Sequence, residues 1–180
     1  DISGTIVGMV DKNKVIDGKD VLPGDILVGF KSTGLHTNGY SLARKVLLEK
    51  FNVNDKVDLF EKSIGEELLT VHKSYLKLIT ALKEKVAIKA FSHITGGGII
   101  GNTKRVTPKN MTLSIDWNAW EMLPIFKLIQ QTGKVSDEEM RNAFNIGIGL
   151  IAIVSKENVD KVLEISKELS EPAFVIGEVK

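Results

Sequence analysis

Phe91-Ser92-His93-Ile94-Thr95-Gly96-Gly97-Gly98-Ile99-Ile100-Gly101-Asn102 is the stretch on which the reading of this chain turns. Three consecutive glycines have no side chain to pack and lose much conformational freedom on ordering. They stand between an extended run, Val86 to Ile94, and a short helical one, Ile99 to Val106. At a strand-to-helix junction, glycines let backbone N–H groups approach an oxyanion, and the helix N-terminus adds roughly half a positive charge. Two readings of Gly96, Gly97 and Gly98 follow: a phosphate cradle, or a tight turn. Gly96, Gly98 and Gly101 also spell G-x-G-x-x-G, and Asp116 lies near the distance at which that dinucleotide fingerprint places an acid. The intervening helix is short, contains Gly101 and meets Pro108, so a nicotinamide site is not expected.

Working outward, strands and helices alternate. Ile26-Leu27-Val28-Gly29-Phe30 and Leu150-Ile151-Ala152-Ile153-Val154 are apolar enough to be buried on both faces. Met111 to Ile115 and Phe174 to Val179 read as further strands, and the β-branched Thr5 to Val10 as another, with Val15-Ile16 a short one. Ser63-Ile64-Gly65-Glu66 and Ser136-Asp137-Glu138-Glu139 are capping boxes. The first predicts a helix to about Lys85, with Ile64, Leu68, Val71, Tyr75, Leu78, Ile79 and Leu82 as its inner stripe. His72 adjoins that stripe and reads as a packed residue. Helices are also expected from Tyr40 to Phe51, capped by Asn38 or Ser41, from Pro124 to Gln131, ended by Gly133, and from Glu157 to Leu169, capped by Ser155. Phe51 to Glu61 reads as a polar connector. The pattern predicts an α/β domain of α+β type, layered, with one mixed β-sheet and packed helices.

The bulk properties narrow the function. A chain of 180 residues is most simply one domain. Lys and Arg number 24 against 23 Asp and Glu, a net charge of +1 that points to neither nucleic acid nor an anionic membrane. Without cysteine there is no disulfide, thiolate chemistry or Cys-based metal site, and three dispersed histidines do not suggest zinc. No apolar run reaches a membrane span and no signal peptide is evident, so a cytoplasmic protein is the default. A core-type strand at the very start suggests that the chain is a piece of a longer one.

The loop Lys31-Ser32-Thr33-Gly34-Leu35-His36-Thr37-Asn38-Gly39-Tyr40 is dense in hydroxyl, amide and glycine residues. It follows a strand, where ligands collect in α/β sheets. Asn145-Ile146-Gly147-Ile148-Gly149 leads into another strand, and its glycines suggest close approach by a backbone or ligand. Lys104 and Arg105 read as a solvated face or as charge for a bound phosphate.

Three blocks in order, Ser32 to Arg44, His93 to Gly98 and Phe144 to Gly149, resemble the carboxyl-terminal domain of phosphoribosylformylglycinamidine cyclo-ligases, the aminoimidazole ribonucleotide synthetases. The opening Val7 to Lys12 and the ending Ala173 to Val179 fit as well, so the resemblance covers nearly the whole chain. Thr33 and Thr37 stand where that family more often has serine, and both keep the hydroxyl. Selenophosphate synthetase, thiamine monophosphate kinase and formylglycinamidine ribonucleotide synthetase share the architecture without this wording. A non-catalytic nucleotide- or phosphate-binding module is the rival of a different class.

The resemblance implies ATP-dependent ring closure of formylglycinamidine ribonucleotide in purine biosynthesis, yielding ADP and phosphate. ATP would phosphorylate the formyl amide oxygen, and the amidine-side nitrogen would then attack the activated carbon. Such chemistry holds phosphates and neutralises charge more than it needs a protein nucleophile. It gives His36 a catalytic role as donor or proton shuttle. Ser32, Gly34, Asn38, Thr95, Gly96, Gly97 and Gly98 would bind substrate or phosphate, and no metal ligand is assigned. ATP and Mg²⁺ would be held mainly by an amino-terminal domain outside residues 1–180. The chain alone is expected to be inactive, and the whole protein to be a homodimer.

Overall fold

The structure, a computed structural model, describes residues 3–180. In chain order its elements are β1 (Ile26–Lys31), α1 (Tyr40–Leu48), β2 (Lys56–Val57), β3 (Phe60–Ser63), α2 (Ile64–Leu68), α3 (Leu76–Lys85), β4 (Ala90–His93) and α4 (Gly98–Thr103). There follow β5 (Leu113–Ile115), α5 (Pro124–Gly133), α6 (Asp137–Ala143), β6 (Ile148–Val154), α7 (Val159–Glu168) and β7 (Ala173–Val179). Five strands make one sheet in the order β4-β6-β1-β7-β5, and β2 pairs with β3 in a hairpin.

The sheet is the middle of three layers because β6 throughout and β1 up to Phe30 carry no polar side chain. Along β1, Leu27 faces one core and Val28 and Phe30 the other. Along β6, Ile151 and Ile153 face the first, and Leu150, Ala152 and Val154 the second. The first core is closed by Leu47 of α1, Ile64 of α2, Ile99 of α4, Phe126 and Ile129 of α5 and Met140 of α6. The second is closed by Leu78 and Leu82 of α3 with Val162 and Ile165 of α7. Each such side chain, fully buried, contributes about 1.5–3 kcal/mol.

The layered α+β architecture is as expected, but the strand directions are not. Every pairing in the sheet is antiparallel, with Ile26 opposite Val154 on one side and Glu178 on the other. The reason lies in β1. β6 and β7 run the same way, joined by the α7 crossover, but β1 lies between them and opposes both. A split β-α-β unit thus keeps the βαβ sequence pattern without a parallel neighbour.

Six local expectations also fail. Thr5 to Val10 forms no strand with the described residues: Ile6, Val7 and Met9 are almost wholly exposed. Val15-Ile16 is likewise irregular. The Ser63 capping box forms with Glu66, yet α2 ends at Leu68. Residues 69–75 are irregular and Val71 is exposed, because this segment is tied across the exit of β1. Thr33 Oγ1 donates to Val71 O at 2.9 Å and Tyr75 Oη to Lys31 O at 3.0 Å. α1 is capped by neither Asn38 nor Ser41 but begins at Gly39, at φ 76°, where a Cβ would fall 2.2 Å from the Phe144 ring. The expected connector contains the β2–β3 hairpin. Lys134, at φ 50°, ends α5 in place of Gly133, whose missing side chain leaves room for Val46.

Candidate functional site

Three loops meet at one end of the sheet, and Asn145 ties two of them. It is 2% exposed. Its Oδ1 accepts from Ser32 Oγ at 2.9 Å and from Gly147 N at 2.8 Å, while Nδ2 donates to Gly34 O at 2.9 Å. Ser32 N also donates to Gly147 O at 2.8 Å. Ser32 and Gly34 are therefore buried brackets of the loop, joined to the start of β6 by bonds with little competition from water. The neighbouring Phe144 packs under Gly39, and its carbonyl lies 3.4 Å from where a Cβ on Gly98 would stand.

The glycine loop is fixed by the same neighbours. Gly98, at φ 63°, lies so close to the backbone that a Cβ would fall 1.7 Å from Arg141 O. Gly97 N donates to Asn142 O at 3.0 Å and Gly98 N to Thr95 O at 3.1 Å, so two of the three amides are already engaged. Asn102, buried in α4, gathers the loop carbonyls: Nδ2 donates to Gly98 O at 2.7 Å and Thr95 O at 3.1 Å. Thr95 Oγ1 and Arg105 Nη1 both donate to Asn102 Oδ1, at 2.9 and 3.3 Å. Gly96 and Gly97 are exposed, Thr95 and Asn38 half-buried, and the Asn38 amide oxygen is 3.7 Å from where a Cβ on Gly96 would be. Thr95, Gly96, Gly97 and Asn38, with Arg105 beside them, make the accessible part of the cluster.

His36 is 3% exposed and sits at φ 58°, unusual for a residue with a Cβ. Its Nε2 accepts the Thr33 N–H at 3.2 Å, and its buried Nδ1 has no hydrogen-bond partner among the described residues. The approach foreseen for the Gly147/Gly149 pair is made here by side chains: a Cβ on Gly149 would meet Tyr75 Oη at 2.3 Å and His36 Cε1 at 2.6 Å. Burial, reinforced by His72, His93 and Lys73, pushes the His36 imidazole down to about 4. It is therefore neutral at pH 7, one N–H and one lone pair, rather than a cation.

The irregular segment 69–75 brings His72 against this residue. The His36 and His72 rings stack with centroids 4.0 Å apart, and His72 Nε2 lies 3.3 Å from His93 Nε2. One nitrogen from each of the three rings lies within 4.8 Å of the others. This cluster and the Asn145 knot were not foreseen in the sequence. His72 was placed on a helix that does not form. Asn145 carried one signal, its position before a Gly-x-Gly that opens a fully buried strand. A second, largely apolar groove of about 480 Å³ lies between α1 and α2, lined by Tyr40, Leu48 and Leu69. Among the described residues no helix is long and apolar enough to cross a membrane.

Residues 23–180 match the sequence model of the family "AIR synthase related protein, C-terminal domain". A phosphoribosylformylglycinamidine cyclo-ligase of Brevibacillus brevis is 43% identical over 182 residues, covering 100% of this chain and 53% of that protein. The enzyme of the same name from Caldanaerobacter subterraneus subsp. tengcongensis is 44% identical, covering 99% and 54%. The chain thus spans about half the length of the curated relatives it matches. In fold it is similar to the crystal structure of thiamine-monophosphate kinase from Stenotrophomonas maltophilia, at a TM-score of 0.64 and 12% identity, covering 94% of this chain and 52% of that one.

Proposed function

This chain belongs to the AIR synthase related proteins as a C-terminal domain of that family, and from that premise we propose that it supplies the ligand-binding loops of an ATP-dependent cyclo-ligase. The reaction is closure of formylglycinamidine ribonucleotide to aminoimidazole ribonucleotide, with ATP converted to ADP and phosphate. The observation that carries this reading is the convergence of the Ser32, Gly96 and Asn145 loops on one end of the sheet, the same three blocks that carry the family wording.

Within that reading, Asn38 and Thr95 orient the ribonucleotide at the rim. The phosphate meets the exposed Gly96 amide, for which the described residues provide no backbone acceptor, and the Arg105 guanidinium. Gly97 and Gly98 shape the turn, while Ser32 and Gly34 hold the floor through Asn145. His36 acts as a neutral imidazole, donating a hydrogen bond from one ring nitrogen or relaying a proton by taking one up at one nitrogen as it releases one from the other. Mg²⁺ takes oxygen ligands. The only group of three or more His, Cys, Asp or Glu side chains that converges among the described residues is the imidazole cluster, which does not fit that ion. Residues 1–180 act as one domain beside an ATP- and Mg²⁺-holding domain of the same protein, in a cytoplasmic homodimer.

The test is amide NMR of the chain titrated with inorganic phosphate and then with formylglycinamidine ribonucleotide. Shifts confined to Asn38, Thr95, Gly96 and the Arg105 neighbourhood are expected. Arg105→Ala should weaken phosphate about tenfold, the loss of one charge-assisted hydrogen bond. Silence of these amides at high ligand concentration overturns the assignment. ADP release by a protein joining this chain to the amino-terminal half of a cyclo-ligase separates an enzyme from a binding module.

A further inference from the structure

We propose that His36, His72 and His93 form a binding site for a borderline-soft divalent transition metal of the zinc class. The inference shares His36 with the ligase reading but does not rest on it, since its argument uses the three imidazoles and nothing of the ribonucleotide.

The geometry is that of ligands already gathered. Zinc bound tetrahedrally by imidazole at about 2.0–2.1 Å sets neighbouring nitrogens about 3.3 Å apart. His72 Nε2 and His93 Nε2 stand at 3.3 Å. In the metal-free state that contact is an N–H···N hydrogen bond. Binding moves one ring's proton from Nε2 to Nδ1, with no net proton released. The third ring, His36, brings a nitrogen within 4.8 Å of the other two. Of its two nitrogens, Nε2 accepts the Thr33 N–H at 3.2 Å and Nδ1 has no hydrogen-bond partner among the described residues. Closing the third bond requires the stacked His72 ring to turn towards the His36 plane. His72 is half-buried on the irregular segment 69–75, where no helical ladder resists that turn.

The chemistry of the surroundings agrees. Lys73, the nearby cation, is paired with Glu171. His93 is exposed, so the fourth position opens to solvent, as in sites where zinc keeps an exchangeable water. Three imidazoles without a carboxylate select zinc, cobalt, nickel or copper over magnesium or calcium.

The experiment is titration of the purified, chelator-stripped chain with Co²⁺, followed by its visible d–d bands, and then displacement by Zn²⁺. One equivalent with tetrahedral-type bands is expected, and a melting temperature raised by Zn²⁺ but not by Mg²⁺. His72→Asn and His93→Asn should each weaken Co²⁺ about tenfold or more, at least the effect of removing a ligand's outer partner. Circular dichroism in chelator confirms that each variant is folded; should one unfold, the other carries the test. Absence of saturable binding, octahedral-type bands alone, or unchanged affinity in a folded variant overturns the proposal.

Discussion

Replacing Asn145 tests whether the two loops are held by the bonds described. Asn145→Ala removes both acceptor bonds and the donor bond, leaving Ser32 Oγ, Gly147 N and Gly34 O buried without partners. Each unsatisfied buried group costs about 1–3 kcal/mol. Some relaxation and a water in the vacated space offset part of this, so a loss of roughly 3–5 kcal/mol is expected. That is a large share of a typical 5–15 kcal/mol total. At an m-value of about 2 kcal/mol per molar, the urea midpoint falls by about 2 M. Asn145→Asp is the sharper perturbation. It keeps Oδ1 for Ser32 and Gly147 but turns a carboxylate oxygen towards Gly34 O, which disfavours ionisation and raises the folded-state pKa. Below the unfolded value of about 3.9 the protonated carboxyl can donate to Gly34 O as the amide did. The deficit relative to the parent should therefore be largest at pH 7 and shrink as pH falls towards 4. Urea unfolding at both pH values, followed by tryptophan fluorescence and far-UV circular dichroism, measures it. A loss under about 1 kcal/mol for the alanine variant, or a deficit for the aspartate variant that grows on acidification, refutes the reasoning.

The glycine loop should grade by position in thermal melts. Gly96→Ala is expected within about 0.5 kcal/mol of the parent, its Cβ meeting only Asn38 Oδ1 at 3.7 Å, and Gly97→Ala at a loss of about 1–2 kcal/mol from its φ of 100°. Gly98→Ala should lose more than either or fail to fold, because its Cβ would collide with the Arg141 carbonyl; equal melting temperatures for all three would show the loop geometry to be wrong. At alkaline pH, burial holds the Tyr75 phenol well above its ordinary range, with Glu171 adding to it, and burial also raises Tyr40. Their folded pKa values being raised, the linked stability is complete below pH about 10 and is lost as pH rises further. Tyrosinate absorbance should therefore appear together with loss of far-UV dichroism, and half-titration near pH 10 in a folded chain would contradict the burial.

What the sequence determined by itself is local or repeated in wording. Ser63 and Ser136 each announce a capping box because partner and cap are three residues apart, and both boxes form. The apolar runs of β1 and β6 announce burial on both faces because every side chain in them needs cover. The loops Ser32 to Arg44, His93 to Gly98 and Phe144 to Gly149 carry the family in their order. Tertiary structure alone decided where distant residues compete for one place. β1 inserts between β6 and β7, which no βαβ pattern reveals, since periodicity fixes the faces of a strand but not its neighbours. The stripe from Ile64 to Leu82 is helical in period, yet bonds from Thr33 and Tyr75 across the exit of β1 hold residues 69–75 out of the helix. That break carries His72 to His36 and His93, residues with no sequence relation. Thr5 to Val10 has the composition of a strand and pairs with no strand among the described residues. A strand's backbone groups are satisfied only by a second strand, and the partner is chosen by packing at a distance, not by the residues of the run.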